Sequence, residues 1–354
     1  MVKGKLGILS PDIRPVCGRS RIVIDLCLEL EKRGIDFLVF TNKSAYLSAC
    51  NISTEKIKYL PSALKFNPLR EIVSLLLLIW YTKKYDIKIY HSHHRKVEFL
   101  SFIVSKIFNV KTVMSVHSEL TSFKNISYKS DVLVAVSNHI AQNLKSVYNK
   151  KNVRVIYNGT KINEQLNTIS SLEPFKILYL GRFEKHKGYD LLINAVLGLS
   201  DKILNIHLYF IGEGEDLSIL RKSILDNKLI STVRKSNNVY LRYLITCNLL
   251  VLPSRIESFG LAAIEAGMAG LPIVASNTGG LKEVIRNNED GLLFESGNSL
   301  DLQNKILEVY HKYSIALERA NHFRSRVAEE FSIERMADNY ISVYMNLLGL
   351  KDKK

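Results

Sequence analysis

Two sets of short apolar runs, each alternating with amphipathic helical segments, constrain the fold of this chain more than any other feature. The first set occupies residues 5–10, 37–41, 87–91, 112–116 and 132–136, and the second occupies 175–180, 207–211, 249–252, 272–276 and 291–294. Such runs, separated by helical patterns, are typical of buried parallel strands joined by crossover helices. At 354 residues, the chain exceeds the size that one hydrophobic core supports, about 250 to 300 residues. We therefore predict an α/β protein with two doubly wound, Rossmann-like parallel-sheet domains.

A polar stretch at residues 157–174 separates the two sets of runs. It contains Asn158-Gly159 and Ser170-Ser171, which favour turns. We predict a hinge here, between an N-terminal domain at 1–165 and a C-terminal domain at 166–330. A final helix at 331–354 is expected to pack back on the N-terminal domain.

The positive charge of the chain is concentrated in its first half. Residues 1–165 carry 26 Lys and Arg against 12 Asp and Glu, a net charge of +14, whereas residues 166–354 carry 23 against 22, a net charge of +1. Basic domains attract nucleic acids or anionic membranes, and no pattern here resembles a nucleic-acid-binding module. We therefore predict an anionic membrane surface as partner, and no nucleic acid, because basic residues near such a surface contribute about 1 kcal/mol each. The alternative is a basic surface that serves only solubility.

The longest apolar run, at residues 72–81, is about half the 20 residues that span a bilayer. It is predicted to be a core helix rather than an interfacial anchor, because the next strand follows at once. The first ten residues resemble a strand and not a signal peptide, and the four cysteines have no CxxC spacing. These features favour a reducing cytoplasm, with the protein bound peripherally to the inner face of the plasma membrane.

Two glutamates follow the apolar run at 249–252. Pro253 ends the run, Glu257 lies in the next loop, and Glu265 lies in an Ala-rich helix that begins near Gly260. The N–H groups of Phe259, Gly260 and Leu261 would point out of the N-terminus of this helix, which suits an anion. This pattern indicates a ligand with hydroxyls and phosphate. The alternative is that both glutamates are solvated surface acids beside a core helix.

A basic loop follows another apolar run, at residues 175–180. It reads Gly181-Arg182-Phe183-Glu184-Lys185-His186-Lys187-Gly188. Arg182 can direct two donors onto phosphate oxygens, and Lys187 adds a compact charge. The two strand ends together predict a sugar-nucleotide site.

On these motifs the sequence resembles the retaining family-four glycosyltransferases of the GT-B fold, of the bacterial surface-polysaccharide type. The residues that carry the resemblance are Gly181, Arg182, Lys187, Gly188, Gly212-Glu213-Gly214, Pro253-Ser254, Glu257, Glu265, Gly279-Gly280 and Glu283. The resemblance implies two Rossmann-like domains that face each other across a cleft. It also implies a nucleoside-diphosphate sugar as substrate, a reaction that needs no metal, and no cofactor.

The resemblance assigns roles to individual residues. Arg182 and Lys187 would bind the donor diphosphate, Glu265 the ribose diol, and Glu257 the donor sugar. In the first strand-helix loop, Gly18 would approach the diphosphate, although the family usually has two glycines there. Arg19 or Arg21 could compensate for the missing glycine by their charge, and Arg19 is also predicted to line the acceptor cleft.

Histidines end two of the N-terminal strands. His117 follows the run at 112–116, and the resemblance places it at the donor sugar as a catalytic residue. His91 and His93 lie on one face at the end of another strand. No third ligand at metal-binding spacing is near, so we predict that they line the acceptor cleft and bind no metal.

Two other departures from the family pattern leave alternatives open. Residues 231–243 lack a glycine turn, and Asn248 stands where Asp is common. One alternative is therefore a catalytically inert GT-B subunit that serves as partner of another glycosyltransferase. A second is a dinucleotide oxidoreductase, on the basis of Gly212-Glu213-Gly214, but position 217 is Leu and not the third glycine of that motif.

The leading expectation is transfer of a hexose-type sugar to an acceptor hydroxyl. The basic N-terminal domain and the resemblance suggest a polyprenyl-diphosphate-linked saccharide as acceptor, in bacterial surface-polysaccharide synthesis.

Overall fold

A fully parallel seven-stranded sheet forms the centre of the N-terminal part of the chain. The computed structural model describes residues 5–14, 17–42, 51–63, 67–119, 127–150, 152–161, 171–203, 205–223, 230–234 and 239–350. The strand order is β3-β2-β1-β4-β5-β6-β7. The strands are β1 (Lys5–Leu9), β2 (Phe37–Thr41), β3 (Ile57–Tyr59), β4 (Ile87–Ser92), β5 (Lys111–Val116), β6 (Val132–Ala135) and β7 (Val153–Val155).

Helices connect these strands and cover the sheet, so the strands are buried and carry unbroken apolar runs. The helices are α1 (Gly18–Lys32), α2 (Pro68–Tyr85), α3 (Arg95–Ile107) and α4 (Asn138–Tyr148). Because side chains on both faces of a parallel sheet are covered, central strands carry apolar residues at successive positions. Leu6, Ile8 and Val39 are accordingly inaccessible to solvent. The register pairs Leu6 with Phe37 on β2 and with Ile89 on β4.

A second parallel sheet, of six strands, lies in the C-terminal part, with the order β10-β9-β8-β11-β12-β13. Its strands are β8 (Phe175–Leu180), β9 (Ile206–Gly212), β10 (Ile230–Arg234), β11 (Leu249–Leu252), β12 (Ile273–Ser276) and β13 (Leu292–Phe294). The helices that follow are α5 (Tyr189–Leu197), α6 (Leu217–Ser223), α7 (Val239–Thr246), α8 (Leu261–Ala269), α9 (Leu281–Val284), α10 (Ser299–His311), α11 (Tyr313–Glu330) and α12 (Ile333–Leu347). The two sheets confirm the predicted fold class.

The chain divides into two compact units. The first comprises Met1–Gly159 and Ile333–Lys354, and the second comprises Thr160–Ser332. The first unit therefore ends at Gly159 rather than at residue 165, and α12 belongs to it. Half of the predicted hinge, residues 162–170, lies outside the described residues.

The apolar run at 72–81 lies in α2, and its prediction as a core helix is only partly correct. Leu78 and Tyr81 are buried, but Ile72, Leu76 and Trp80 are exposed. An apolar residue at nearly every position leaves no periodicity from which the buried face could be chosen. Within the part of the chain that the structure describes, no helix is long and apolar enough to cross a membrane.

Candidate active site

The loops at the carboxyl ends of β8, β11 and β12 are packed against each other at glycines. Gly188 has φ 70°, and a Cβ there would lie 1.9 Å from the carbonyl oxygen of Pro253. A Cβ on Gly279 would lie 2.0 Å from the carbonyl oxygen of Glu257. Only glycine permits these approaches. The basic loop after β8 and the acidic loop after β11 are thereby brought into contact.

Lys187 and Glu257 form an ion pair across this contact. The Lys187 Nζ donates to Glu257 Oε2 at 2.8 Å, and both side chains remain partly accessible. The Ser254 hydroxyl lies 3.5 Å from the same carboxylate oxygen. Two residues 70 positions apart in the sequence are thus in contact, so the two motifs lie side by side.

Arg182 lies at the entrance of the basic loop. Its guanidinium is largely exposed and forms an ion pair with Glu184. The backbone beneath it is fixed, because the buried Tyr179 hydroxyl donates to the Arg182 carbonyl at 2.8 Å. Arg182 therefore combines a fixed backbone with a side chain that can reach an anion from solvent.

A second ion pair, which the sequence analysis did not identify, ties the same loops together. Arg255 donates to both carboxylate oxygens of Asp190 at 2.8 Å, and to the Lys185 carbonyl. Burial alone would raise the pKa of Asp190, but the hydrogen bond and charge of Arg255 outweigh it and lower the pKa. Neither Arg255 nor Asp190 is among the residues that carry the family resemblance, so no sequence pattern singled out these partners, which are 65 residues apart.

The helix α8 begins directly after the acidic loop. Its N-cap is Gly260, with φ 108° and ψ 57°, in the left-handed region that favours glycine. The N–H groups at such an end lie outside the helical hydrogen-bond pattern and attract anions. The buried ring of Phe259 packs on Phe331, with centroids 5.9 Å apart, which holds the helix start in place. Leu261 is the first residue of α8, and Glu265 lies inside the helix and is nearly buried.

The glycines at 212 and 214 have a packing role. A Cβ on Gly212 would lie 1.8 Å from the Gly181 carbonyl oxygen, and one on Gly214 would lie 2.3 Å from that of Phe183. They therefore position the basic loop, which accounts for the Gly212-Glu213-Gly214 motif without a dinucleotide.

In the N-terminal unit, His93 and His117 lie together at the ends of β4 and β5. His93 Nδ1 is 3.1 Å from His117 Nε2. Burial, followed by the charge of Arg19, lowers the pKa of His117 to about 3. Burial and the neighbouring His91 and His117 hold the pKa of His93 well below its usual range. Both rings are therefore neutral at physiological pH.

His91 does not line a cleft, and its predicted acceptor role is wrong. The side chain is fully buried, with Nδ1 2.7 Å from the Tyr344 hydroxyl and Nε2 2.7 Å from the Ser115 hydroxyl. Both ring nitrogens are occupied, so none is left for an acceptor. His91 instead connects β4 to α12 and β5.

Gly18 and Arg19 lie at the start of α1. Gly18 is exposed as the first residue of the helix. An Arg19 terminal nitrogen donates to the Asp12 carbonyl at 3.4 Å, while its Nε is buried and has no hydrogen-bond partner. Among the described residues, no group of three or more His, Cys, Asp or Glu is arranged to hold a metal ion.

Two Rossmann-like parallel sheets, with polar loops gathered at the carboxyl ends of the second sheet, form the architecture of the GT-B glycosyltransferases. The family description "Glycosyltransferase Family 4" matches residues 16–164, and "Glycosyl transferases group 1" matches residues 162–329. The chain belongs to the family-4 glycosyltransferases of the GT-B fold.

Individual relatives agree with this assignment. An uncharacterized glycosyltransferase of Methanocaldococcus jannaschii is 29% identical over 64% of this chain, but the match spans only 62% of that relative's length. An uncharacterized 41.2 kDa protein in the cps region of Klebsiella pneumoniae is 26% identical over 77% of this chain and 82% of its own. The crystal structure of Anabaena HepE in complex with UDP and glucose has a TM-score of 0.82 at 18% identity, over 96% of this chain and 99% of that one. At 18% identity, the similarity to HepE shows a shared fold.

Proposed function

We propose that this glycosyltransferase is a retaining, metal-independent hexosyltransferase that uses a nucleoside-diphosphate sugar. The observation that carries the proposal is the Lys187–Glu257 pair, 2.8 Å long, beside the N-terminus of α8. A cation, a carboxylate and a helix terminus at the carboxyl ends of parallel strands match a ligand that carries both phosphates and hydroxyls.

Different residues of the C-terminal unit would bind the diphosphate, the ribose and the sugar of the donor substrate. Arg182, Lys187 and the N–H groups at the start of α8 would take the diphosphate, because its charge grows as the glycosidic bond breaks. The nearly buried Glu265 would accept hydrogen bonds from the ribose diol, and Glu257 would orient the sugar. Since the structure of HepE was solved with UDP and glucose, UDP-glucose is the first donor to test.

The proposed step keeps the configuration of the sugar. The acceptor oxygen bonds to the anomeric carbon on the face from which the diphosphate oxygen departs. The electron pair of the broken bond stays on the diphosphate, and the acceptor proton passes to the departing phosphate oxygen. His117, neutral because its pKa is about 3, would contribute a hydrogen bond to the sugar rather than a charge.

The acceptor is proposed to bind the N-terminal unit. Its excess of basic residues suits a polyprenyl-diphosphate-linked saccharide and a peripheral position on the cytoplasmic face of the plasma membrane. The pathway would be bacterial surface-polysaccharide synthesis.

Calorimetric binding of uridine, guanosine and adenosine diphosphates, combined with turnover of the matching glucose donors, tests the proposal. We expect one diphosphate to bind, and Lys187→Ala to weaken it roughly 10- to 100-fold through loss of a charge-assisted contact. The exposed Lys202, on the same unit, provides a matched control in Lys202→Ala. If no diphosphate binds, the donor site is wrongly assigned. If binding is normal but no donor is turned over, the inert-subunit alternative is favoured.

A further inference from the structure

The helix α2 of the N-terminal unit carries an exposed apolar stripe. It consists of Leu69, Ile72, Val73, Leu76 and Trp80, whose exposed fractions lie between 41% and 71%. Exposed apolar groups are common singly, but a contiguous set indicates a binding surface.

The spacing of these residues places them on one side of the helix. At about 100° per residue, Leu76 lies two turns from Leu69, and Trp80 lies three turns from it, each within about 20° of the same direction. Ile72 and Val73 lie on either side of this line. The stripe therefore runs along most of the length of α2.

The stripe is not part of the core of the domain. The opposite side of α2 contributes Leu78 and Tyr81, which are buried in a cluster with Val97 and Val104 of α3. One side of α2 therefore packs in the core of the unit, and the other side is apolar and exposed.

The charges around the stripe identify the partner. Within α2, every exposed charged side chain is basic, namely Arg70, Lys83 and Lys84. Lys84 Nζ lies 4.4 Å from the centroid of the Trp80 ring. Tryptophan beside lysine is typical of the boundary between headgroups and acyl chains. In a symmetric contact between two copies through this stripe, Lys83 and Lys84 would approach like charges, and Asp86, the acid that ends the helix, is already paired with Lys88.

We propose that α2 lies in the headgroup region of an anionic bilayer, with Leu69, Leu76 and Trp80 inserted and Lys83 and Lys84 on lipid phosphates. This inference rests on the membrane attachment proposed above for the N-terminal unit. It adds that insertion of the apolar face of α2 contributes to this attachment, in addition to the attraction between basic residues and anionic lipid. The donor site lies in the other unit, so donor binding and bilayer binding can fail separately.

The fluorescence of Trp80 tests the proposal directly, because it is the sole tryptophan of the chain. The full chain is mixed with vesicles of phosphatidylcholine, with or without phosphatidylglycerol. We expect a blue shift of the emission, and quenching by lipids brominated on the acyl chain, only with the anionic vesicles. Sedimentation with these vesicles should persist in part at high salt, because salt screens the lysines but not the inserted side chains.

Matched variants distinguish the contribution of the inserted apolar side chains to vesicle binding from that of the lysine charges. Leu76→Gln should weaken vesicle binding roughly tenfold, since a leucine no longer leaves water. Leu300→Gln, at a similarly exposed leucine of α10, should leave binding unchanged. Lys83→Gln with Lys84→Gln should weaken binding more than the control pair Lys129→Gln with Lys145→Gln, which removes two charges at exposed lysines of the same unit.

Several results would contradict the proposed insertion of α2 or the proposed donor site. Equal vesicle binding by Leu76→Gln and Leu300→Gln, or a Trp80 emission that does not shift, would overturn the inserted face. Self-association that Leu76→Gln abolishes, seen by sedimentation velocity without lipid, would show instead that the stripe is an interface between two copies. Loss of diphosphate binding with intact vesicle binding would overturn the donor assignment alone.

Discussion

At the scale of single residues, the structure makes Glu257 and Lys187 interdependent. The pair is 2.8 Å long and only partly accessible, so the Lys187 charge is shared between Glu257 and any incoming phosphate. Glu265, in contrast, is nearly buried inside α8 and is separated from this pair along the chain by the helix start. The two glutamates should therefore respond differently to neutralisation.

We predict opposite effects of Glu257→Gln and Glu265→Gln on nucleotide affinity. Glu257→Gln frees Lys187 for the diphosphate, so affinity should hold or rise while turnover falls with the loss of sugar positioning. In the proposed donor site, Glu265→Gln removes a charged acceptor from the ribose, so affinity should fall about 10- to 100-fold. Calorimetry and turnover assays on both variants measure this, with Glu318→Gln, at an exposed glutamate, as control. Equal losses of stability and affinity in both variants would favour the surface-acid interpretation.

A second prediction concerns the histidines at the ends of β4 and β5. The pKa values of His91, His94 and His117 are each about 3, chiefly because of burial, whereas an unfolded histidine titrates near 6.5. The unfolded state then binds more protons below pH 6.5, so stability falls as the pH falls from 6.5 toward 3. Each histidine contributes up to about 1.4 kcal/mol per pH unit in that window.

Urea unfolding at several pH values between 7 and 5 measures this dependence, with Trp80 as the reporter of the N-terminal unit. His117→Asn should reduce the slope of stability against pH, and His311→Gln, at an exposed histidine of α10, should not. A stability that is constant over this range would contradict the lowered pKa values of these histidines.

The positions of side chains could be predicted from the sequence where a charged residue followed a strand end, and could not be predicted where burial decided. Arg182, Lys187 and Glu257 could be placed because the loops after parallel strands meet at one edge of the sheet. His91 could not be placed correctly, since nothing local distinguishes a buried histidine from one in a cleft. Asn248, noted as a departure from the family pattern, is buried and uses its amide nitrogen to donate to the Ser171 carbonyl at 3.0 Å. An aspartate could not donate there, so this departure has a structural reason.

At the scale of elements, the position of α12 depends on a buried chain of polar groups. The Tyr344 hydroxyl, His91, Ser115 and the Tyr340 hydroxyl are linked by contacts of 2.7 to 2.8 Å. Both tyrosine rings belong to α12 and are fully buried. The helix is thus attached to β4 and β5 by hydrogen bonds as well as by apolar packing.

We predict that Tyr344→Phe destabilises the N-terminal unit more than Tyr340→Phe does. Without the Tyr344 hydroxyl, His91 Nδ1 is buried and unpaired, which costs about 1–3 kcal/mol. Without the Tyr340 hydroxyl, Ser115 still has His91 as partner, so the cost should be about 0.5–1.5 kcal/mol. Urea unfolding followed by Trp80 fluorescence gives both values. The reverse order would mean that the polar chain does not hold α12.

The sequence predicted the central strands well and the edge strands poorly. Continuous apolar runs mark strands that are covered on both faces. Of the four edge strands, β13 was predicted, but β3, β7 and β10 did not show such runs, because they are short or partly polar, as in Ile230–Arg234. The apolar run within α2 was recognised, but which of its sides is buried depends on α3, whose position the sequence does not give.

At the scale of the whole molecule, the N-terminal unit is assembled from two distant parts of the chain. The chain leaves this unit after Gly159 and returns at Ile333. The two crossing points are neighbours, because the Thr160 N–H donates to the Phe331 carbonyl at 2.9 Å. The sequence predicts the first boundary at residue 165 and a final helix at 331–354 that packs back on the N-terminal domain, and α12 does belong to this unit.

The last prediction follows from this discontinuity. A fragment of residues 1–159 lacks α12, so it would leave His91 without Tyr344 and uncover the site where α12 buries Met336, Tyr340 and Tyr344. We expect it to be poorly soluble and without a cooperative thermal transition. A fragment of residues 160–332 retains its whole sheet and should melt cooperatively.

The decisive control joins residues 1–159 to 333–354 through a few Gly and Ser residues, a length that suffices because the two ends are adjacent. This linked fragment should regain a cooperative transition by circular dichroism, and introducing Tyr344→Phe into it should lower the midpoint. If fragment 1–159 melted as cooperatively as the linked fragment, and at the same temperature, α12 would be dispensable for folding of the unit. The N-terminal unit would then be continuous in sequence, and the polar chain through His91 would contribute nothing to its stability.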